Sequence, residues 1–361
     1  MLTPQGERPP HGGRALALAA ELGCAPDAIL DFSASLNPLG PAPEALAAAR
    51  EALAAASHYP ESDGASLARA LAAHHGLPAE CVLAGAGATE FIFLVPRVLR
   101  PRRALLVEPA FGEYRPALLQ AGVAVDAVQL EAAADFRLDP AVLLAALRPD
   151  TDLVWLTNPL NPSGTALARE LLLDLAAALP PGVSLLVDEA FVDFFPALSV
   201  VDQVPARSNL IVLRSLTKFY ALAGLRIGWL AAPPPVAAGL AAAREPWRLS
   251  TPAIAAGVAC LQANALRVAT LEAIPLLRGE LAAGLVRLGC RVYPSAANYL
   301  LCRLPDGAPP ADDLAAQLRW QRILVRTCAD FAGLDGRHLR LAVRSAADNR
   351  HLLDKLAGLL G

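Results

Sequence analysis

The stretch Ser215-Leu-Thr-Lys-Phe-Tyr-Ala-Leu-Ala-Gly-Leu-Arg-Ile-Gly-Trp-Leu230 places a lysine, Lys218, at the start of an apolar run. The chain has 31 lysine and arginine residues, and only Lys218 and Lys355 are lysines. Because arginine stands at all basic positions except these two, a lysine at position 218 indicates that a primary amine is required there. A primary amine in partly apolar surroundings has a lowered pKa and condenses with aldehydes, which a guanidinium does not do.

Short apolar runs rich in valine, leucine and isoleucine surround this stretch and predict buried strands. They cover residues 81–84, 103–107, 123–129, 152–157, 183–187, 209–213 and 226–231. Stretches of helical period lie between most of them, at residues 66–75, 113–121, 139–148 and 166–179. This alternation predicts an α/β fold in which helices cover both faces of a mainly parallel sheet.

The pattern changes after Pro246. A helical segment at 253–288 is followed by short predicted strands at 291–293, 298–303, 323–327 and 338–343, which together predict a smaller α+β domain. We therefore expect three parts. They are an amino-terminal segment at 1–44 that packs on the small domain and the active site, a large domain at 45–245 and a small carboxy-terminal domain at 246–361.

The composition narrows the class of partner. A net charge of -3 gives no basic surplus, which argues against nucleic acid or an anionic membrane and favours a small molecule. Six cysteines without a Cys-x-x-Cys pair predict reduced thiols and no metal site. The first residues lack the apolar core of a signal peptide, and charges and prolines interrupt the apolar stretch 216–243, so we expect a cytoplasmic protein.

Several polar or aromatic residues follow predicted strands, where open parallel sheets bind their ligands. Gly87 and Ala88 lie in a glycine turn that opens a helix, a place where backbone N–H groups bind phosphate. Phe111 could stack on a flat ring, or it could simply belong to the core. Asn161, between two prolines, could bind a cofactor by donating to a phenolic oxygen, could donate to a carboxylate, or could simply form a turn.

An acid and a second polar cluster follow the next two strands. Asp188 ends an apolar run, where an acid is costly to bury unless it meets a cation or a protonated ring nitrogen. Ser215, Thr217, Lys218 and Arg226 follow the strand after it. An amine, an acid, a stacking ring and a phosphate cup are the four groups that pyridoxal 5'-phosphate needs. A structural role could explain each group alone, but together they predict this cofactor.

These residues resemble those of the fold-type I pyridoxal-phosphate enzymes, class II of the aspartate aminotransferase superfamily. The resemblance extends to the threonine-phosphate decarboxylases of cobalamin biosynthesis. The segments that carry it are 11–14 (His-Gly-Gly-Arg), 31–40, 188–194, 215–226, 323–329 and 341–346. Histidinol-phosphate aminotransferases share the fold and the lysine motif, but they typically have tyrosine where Phe191 stands and lack the amino-terminal His-Gly-Gly.

The resemblance implies a role for each matching residue. Lys218 would form the Schiff base, Asp188 would pair with the pyridinium nitrogen and Phe111 would stack on the ring. The cofactor phosphate would be bound by Gly87, Ala88, Ser215, Thr217 and Arg226, with Tyr59 reaching across from the second subunit of a homodimer. The substrate's carboxylate and phosphate would meet His11, Asn161, Arg326 and Arg340, and Arg344 is an additional candidate.

The chain departs from the family pattern in two places. Ser35 stands where the decarboxylases commonly have asparagine, so it is the candidate substrate contact there, with Asn37 as the alternative if the loop shifts. The usual Asn-Asn-Pro-Thr-Gly reads Leu-Asn-Pro-Ser-Gly at residues 160–164, which keeps Asn161.

The resemblance implies decarboxylation of O-phospho-L-threonine to (R)-1-aminopropan-2-ol phosphate, for the nucleotide loop of cobalamin. The first alternative is histidinol-phosphate aminotransferase. The two reactions differ in which bond of the substrate stands perpendicular to the ring, so the residues leave both open. The second alternative is a pyridoxal-phosphate-binding subunit of cobalamin assembly that has no catalytic activity.

Overall fold

The computed structural model describes residues 11–360. Its strands are β1 (Leu30–Asp31), β2 (Val82–Gly85), β3 (Arg103–Glu108), β4 (Ala124–Gln129), β5 (Thr151–Thr157), β6 (Ser184–Asp188), β7 (Leu210–Ser215), β8 (Gly228–Ala231), β9 (Arg291–Val292), β10 (Tyr299–Arg303), β11 (Ile323–Leu324), β12 (Arg326–Thr327) and β13 (His338–Ala342). Its α-helices are α1 (Ala15–Leu22), α2 (Pro43–Ala52), α3 (Ala65–His75), α4 (Ala88–Leu99), α5 (Tyr114–Gln120), α6 (Pro140–Ala145), α7 (Arg169–Ala178), α8 (Leu216–Phe219), α9 (Pro234–Ala242), α10 (Thr251–Cys260), α11 (Asn264–Arg287), α12 (Ala311–Trp320) and α13 (Ala346–Leu360).

The largest sheet has seven strands in the order β2-β8-β7-β6-β5-β3-β4. Its neighbouring strands run parallel except at β8, which is antiparallel to both β2 and β7. The central strands are apolar almost throughout because both of their faces are covered, and Leu185, Leu186 and Val187 of β6 are fully buried. The predicted α/β fold with a mainly parallel sheet is confirmed.

A smaller antiparallel sheet follows in the order β12-β13-β10-β9. A separate parallel pair joins the amino-terminal segment to this region, since β1 pairs with β11. The division into 1–44, 45–245 and 246–361 stays a prediction, and residues 1–10 of its first part lie outside the described residues.

Two predicted elements are divided in the structure. The helix predicted over 253–288 is broken between α10 and α11, which bend by 69° because α10 packs on α2 and α3 whereas α11 packs on α13. The strand predicted over 323–327 is split because β11 pairs with β1 while β12 pairs with β13.

Helix length and hydropathy within residues 11–360 give no single helix that could cross a membrane. The bent pair α10 and α11 has sufficient length and apolar composition only when both helices are taken together.

Candidate active site

A cavity of about 980 Å³ opens beyond the carboxyl ends of β5, β6 and β7. Parallel strands bring their carboxyl ends to one edge of the sheet, so residues distant in sequence meet there. The predicted site residues that line the cavity are His11, Ser35, Ala88, Phe111, Asn161, Asp188, Ser215, Thr217, Lys218, Arg226, Arg326 and Arg340.

Asp188 is the last residue of β6, opposite Thr157 on β5. Its Oδ2 accepts a hydrogen bond of 2.6 Å from the Tyr114 hydroxyl, and its Oδ1 accepts one of 2.9 Å from the Ala190 amide. Burial raises the pKa of Asp188 to about 6, although both hydrogen bonds favour the charged form. The site therefore presents an oriented carboxylate. Among residues 11–360, no buried cation lies within hydrogen-bond distance of it.

Lys218 lies in α8, the short helix directly after β7. Ser215 caps this helix, because its Oγ accepts a hydrogen bond of 3.2 Å from the Thr217 amide. Burial, together with the charges of Arg340 and Arg226, lowers the pKa of Lys218 to about 8. The neutral amine, which is the nucleophilic form, is therefore more populated at neutral pH than in an ordinary lysine.

The glycine turn between β2 and α4 forms one wall of the site. Gly87 has a φ of +80°, a value that favours glycine, and its N–H donates to the Gly85 carbonyl at 2.8 Å. Gly87 therefore contributes conformation and space, and its amide is not a free donor as the sequence led us to expect. The N–H groups of Ala88 and Thr89 belong to the first turn of α4 and have no acceptor within the helix, so they remain for an anion.

Arg226 and Gly228 pack against this turn. A Cβ added to Gly87 would lie 2.8 Å from the Arg226 guanidinium, so that side chain would have to shift to admit any residue larger than glycine. A Cβ added to Gly228, on β8, would overlap the backbone of Gly87 and Ala88. With Ser215 and Thr217 opposite, the turn and the guanidinium form a cup of hydrogen-bond donors and one positive charge.

Phe111 follows β3 and lines the cavity beside His11. The two ring centroids are 5.5 Å apart, and the His11 Nε2 lies 2.7 Å from the Glu113 Oε1. Phe111 also meets Tyr114 edge to face, with 5.7 Å between centroids. Phe111 is thus packed between two rings and is in position to offer a flat apolar surface to the cavity.

Arg340, on β13, joins the two sheets at the cavity wall. Its Nη1 donates to the Asn161 Oδ1 at 2.7 Å and its Nη2 to the Ser33 carbonyl at 2.7 Å. Its Nε is buried without a partner among the described residues. Burial lowers the pKa of Arg340. This buried position is unfavourable for the charged guanidinium alone and becomes favourable once an oxyanion binds beside it.

Arg326 and Arg344 each pair with an aspartate four residues later. The Arg326 fork donates to both Asp330 oxygens, at 2.8 Å and 2.6 Å, and both residues line the cavity. Arg344 donates to Asp348 at 3.1 Å and is not among the residues that line the cavity. Of the two, Arg326 is placed to meet a substrate, and its fork is filled by Asp330.

The loop at 31–40 separates its two substrate candidates. Ser35 is buried at the cavity, and its Oγ has no partner within residues 11–360. Asn37 donates to the Phe219 carbonyl at 2.8 Å and to the Thr270 Oγ1 at 2.7 Å. The fold uses Asn37 to fix the loop to α8, so Ser35 is the group that faces the cavity.

Tyr59 lies apart from the other predicted site residues. It is 82% exposed, its ring packs against Trp247 with 4.9 Å between centroids, and it does not line the cavity of its own chain. A contact with a second subunit stays a prediction.

Sequence reasoning missed several polar residues of the cavity wall, among them Thr89, Glu113, Tyr114 and Asp330. Each lies within four residues of a predicted site residue, so a search of the flanking polar positions could have included them. Their partners could not be found in this way, since the bond from Tyr114 to Asp188 spans 74 positions.

The residues of this cavity fit pyridoxal phosphate. A buried amine with a lowered pKa, a buried carboxylate, a packed phenylalanine and a cup of donors line one cavity. The cup supplies Ala88 and Thr89 amides, two hydroxyls and Arg226, which are donors suited to a phosphate.

Comparison with known proteins gives consistent matches. The sequence model of aminotransferase class I and II matches residues 27–356. A threonine-phosphate decarboxylase from Salmonella typhimurium is 40% identical over 97% of this chain and 96% of its own length. A histidinol-phosphate aminotransferase from Roseiflexus castenholzii is 37% identical over 94% of this chain and 92% of its own length. A solved structure of the Sinorhizobium meliloti histidinol-phosphate aminotransferase in complex with pyridoxal-5'-phosphate covers 96% of this chain and 94% of its own, with 25% identity and a TM-score of 0.86.

Proposed function

This chain belongs to the aminotransferase class I and II family, and we propose that it removes the carboxylate of O-phospho-L-threonine. The product would be (R)-1-aminopropan-2-ol phosphate, for the nucleotide loop of cobalamin. The chain is a pyridoxal-phosphate-dependent enzyme, and its likeness to a threonine-phosphate decarboxylase extends over 97% of its length.

One observation carries the choice of reaction. His11, Gly12 and Gly13, the residues that distinguish the decarboxylase resemblance from the aminotransferase resemblance, line the cavity beside Phe111. A segment in this position contacts whatever binds next to the cofactor ring. Its position therefore supports a role of the His-Gly-Gly segment in selecting the substrate.

Pyridoxal phosphate supplies an aldehyde that takes up the substrate amine and a ring that accepts the electron pair left when CO2 departs. Ala88, Thr89, Ser215, Thr217 and Arg226 would hold its phosphate. Lys218 would hold its aldehyde carbon, and Phe111 would support its ring.

Two titratable side chains manage the protons. The Asp188 carboxylate, oriented by Tyr114 and the Ala190 amide, would keep a proton on the ring nitrogen. Lys218, released when the substrate amine binds, would deliver a proton from Nζ to the carbon that lost the carboxylate, and its pKa near 8 suits that transfer at neutral pH.

The two acidic groups of the substrate would meet different arginines. Arg340 and Asn161, already hydrogen-bonded to each other at 2.7 Å, would hold the carboxylate on the small-sheet side. Arg326 and His11 would meet the phosphate, with the Ser35 hydroxyl as a further donor. Both forks are already engaged, by Asp330 in Arg326 and by Asn161 and the Ser33 carbonyl in Arg340. The substrate's phosphate would therefore displace Asp330, and its carboxylate would meet the Arg340 Nε, which has no partner among the described residues.

We also infer a cytoplasmic homodimer with shared sites. The exposure of Tyr59 supports it, because a tyrosine that is 82% exposed is available to the cavity of a second subunit.

Histidinol-phosphate aminotransferase is the second candidate, favoured by a relative that is 37% identical over 94% of this chain. The lysine, the acid and the phosphate cup serve both reactions, so these residues do not favour either candidate. A pyridoxal-phosphate-binding protein without turnover is the third candidate. Such a protein would use the Lys218 amine to hold the cofactor but would not need an acid against the ring nitrogen, so Asp188 argues against it.

The test supplies both substrates to the purified, pyridoxal-phosphate-loaded protein. We expect CO2 from O-phospho-L-threonine, and no glutamate from histidinol phosphate with 2-oxoglutarate. Glutamate without CO2 would establish the aminotransferase. Neither product, from protein that has bound the cofactor, would favour the protein without turnover.

A further inference from the structure

Residues 11–13, which we call the amino-terminal strap, are fixed to the loop that contains Ser33. A Cβ added to Gly12 would overlap the Ser33 carbonyl, so the two backbones touch. The Gly13 amide donates to the Ser33 Oγ at 3.0 Å, and that hydroxyl donates to Asp31 at 2.5 Å. One end of the strap is therefore held by backbone contact and a short hydrogen-bond chain.

Within residues 11–360, the His11 side chain has one hydrogen-bond partner, Glu113, and its ring also packs against Phe111. The Glu113 Oε1 lies 2.7 Å from the His11 Nε2, and Glu113 is only 7% exposed. A carboxylate only accepts hydrogen bonds, so His11 donates from Nε2. Its Nδ1 has no partner within residues 11–360, although the ring lines the cavity.

We propose that Glu113 is a positioning residue that sets substrate specificity by holding His11, with a proton on both ring nitrogens, over the cavity so that its Nδ1–H is available to donate to the substrate's phosphate ester. This inference rests on the proposed function, because it takes the phosphate of the substrate as the group that His11 meets. Glu113 lines the cavity, and in this role it acts through His11 and not through a contact of its own with the substrate. It fixes one nitrogen of the imidazole and so determines where the other nitrogen lies.

The contact is well suited to this role. The His11 side chain is 45% exposed, and its ring meets Phe111 only in a tilted contact with 33° between the ring planes, so packing alone leaves it free to adopt other rotamers. The hydrogen bond to the nearly buried Glu113 carboxylate fixes the direction in which the ring nitrogens of His11 point. Without it, His11 would have to be ordered when substrate binds, and that cost would appear in the binding of the phosphate.

The first experiment measures steady-state kinetics of holoenzyme variants. For Glu113→Ala we expect the KM for O-phospho-L-threonine to rise about tenfold, the loss typical of one charged hydrogen bond, with kcat nearly unchanged. Glu113→Gln should restore most of the loss, because its amide oxygen still accepts from Nε2. Adding Glu113→Ala to His11→Ala should cost little more, since Glu113 acts only through His11.

Two controls separate positioning from a structural role. Glu108→Ala removes the 2.9 Å ion pair with Arg115, which fastens the same helix α5 without touching His11, and should leave KM unchanged. L-Threonine, which lacks the phosphate, should be turned over slowly and equally by wild type and Glu113→Ala. An equal loss on both substrates, or the same rise in KM for Glu108→Ala, would overturn the proposal.

A second readout does not depend on turnover. Trypsin cleaves after Arg14, next to the strap, and we expect O-phospho-L-threonine or inorganic phosphate to slow that cut in the wild-type holoenzyme but not in Glu113→Ala. Cleavage that is equally fast and equally protected in both proteins would contradict the role of Glu113. If the wild type releases no CO2, the proposed function is contradicted. The protection of the Arg14 site from trypsin by inorganic phosphate would still decide the role of Glu113, because it does not depend on turnover.

Discussion

The Tyr114 hydroxyl donates a 2.6 Å hydrogen bond to the Asp188 Oδ2, joining the first turn of α5 to the end of β6. Burial beside Asp188 raises the pKa of Tyr114 well above its ordinary value, so the donor stays protonated. The same bond favours the charged form of a carboxylate whose burial raises its own pKa to about 6. Tyr114 therefore supports the charge on the carboxylate that, in the proposed function, would face the cofactor nitrogen.

Tyr114→Phe should lower kcat about tenfold and change KM little, because it removes one hydrogen bond to a charged group. The measurement is the initial rate of CO2 release from O-phospho-L-threonine. Tyr293→Phe is the matched control, since that buried tyrosine contacts His338 at 3.1 Å in the smaller sheet. An unchanged kcat for Tyr114→Phe, or equal losses in both variants, would contradict this account of Asp188.

Asp188→Asn should abolish activity but stabilise the cofactor-free protein at pH 8. The pKa of Asp188 is raised from 3.8 to about 6, so the native state binds this proton more tightly than the unfolded chain. Its favourable contribution is complete below about pH 3.8 and is lost as the pH rises through 6, where the buried charge is a cost. The variant should gain up to about 3 kcal/mol in the free energy of unfolding at pH 8.

Urea unfolding of wild type and Asp188→Asn, at pH 8 and near pH 4.5, measures this gain. The difference between the two proteins should shrink at the lower pH. A gain of equal size at both pH values would show that packing, and not charge, causes it.

Lys218→Arg should remove the visible absorbance of the lysine-bound cofactor and all turnover, because a guanidinium does not condense with an aldehyde. Lys355→Arg is a close control, since Lys355 is the other lysine of the chain. After borohydride reduction of the wild type, mass spectrometry should find the cofactor on the peptide that contains residue 218. A label at residue 355, or absorbance that survives in Lys218→Arg, would place the cofactor on another amine.

Asp330→Asn should lower the KM for O-phospho-L-threonine about threefold to tenfold, because it removes the carboxylate that competes with the substrate for the Arg326 fork. Asp348→Asn breaks the equivalent pair of Arg344, which does not line the cavity, and should leave KM unchanged. Both are read from substrate saturation curves. A rise in KM for Asp330→Asn would mean instead that Asp330 holds Arg326 in the orientation that binds substrate.

Tyr59→Ala and Lys218→Ala should complement each other if Tyr59 serves the site of a second subunit. A heterodimer of the two variants would keep one site with both side chains, so we expect about half of the wild-type activity per dimer at limiting cofactor. Two different affinity tags allow the heterodimer to be purified. Activity no higher than that of the Tyr59→Ala homodimer would place Tyr59 outside the partner's site.

The ends of the strands could be predicted from the sequence because the apolar run that forms each strand and the polar residue at its end lie within a few positions of each other. Asp188 and Ser215 directly follow apolar runs, and both lie where the parallel sheet places its carboxyl ends. The predicted strand bounds at 183–187 and 209–213 differ from β6 and β7 by one or two residues.

The contacts between side chains could not be predicted in this way, because each depends on how separate elements pack. His11 meets Glu113 across 102 positions, and Arg340 meets Asn161 across 179. Asn37 is a polar residue near the site that looks available for a substrate. Its side chain instead donates a hydrogen bond to Thr270, a contact that no local sequence pattern indicates.

The contact of Gly228 with the glycine turn bears on how the activity of this chain could be changed by selection. No side chain fits at position 228 without displacing Gly87 and Ala88, so mutations there should be lost regardless of the substrate supplied. The strap and the Arg326–Asp330 pair have no such constraint on cofactor binding. A mutant library restricted to His11, Glu113, Ser35 and Asp330 should therefore yield variants that keep the cofactor and differ in the compounds they accept.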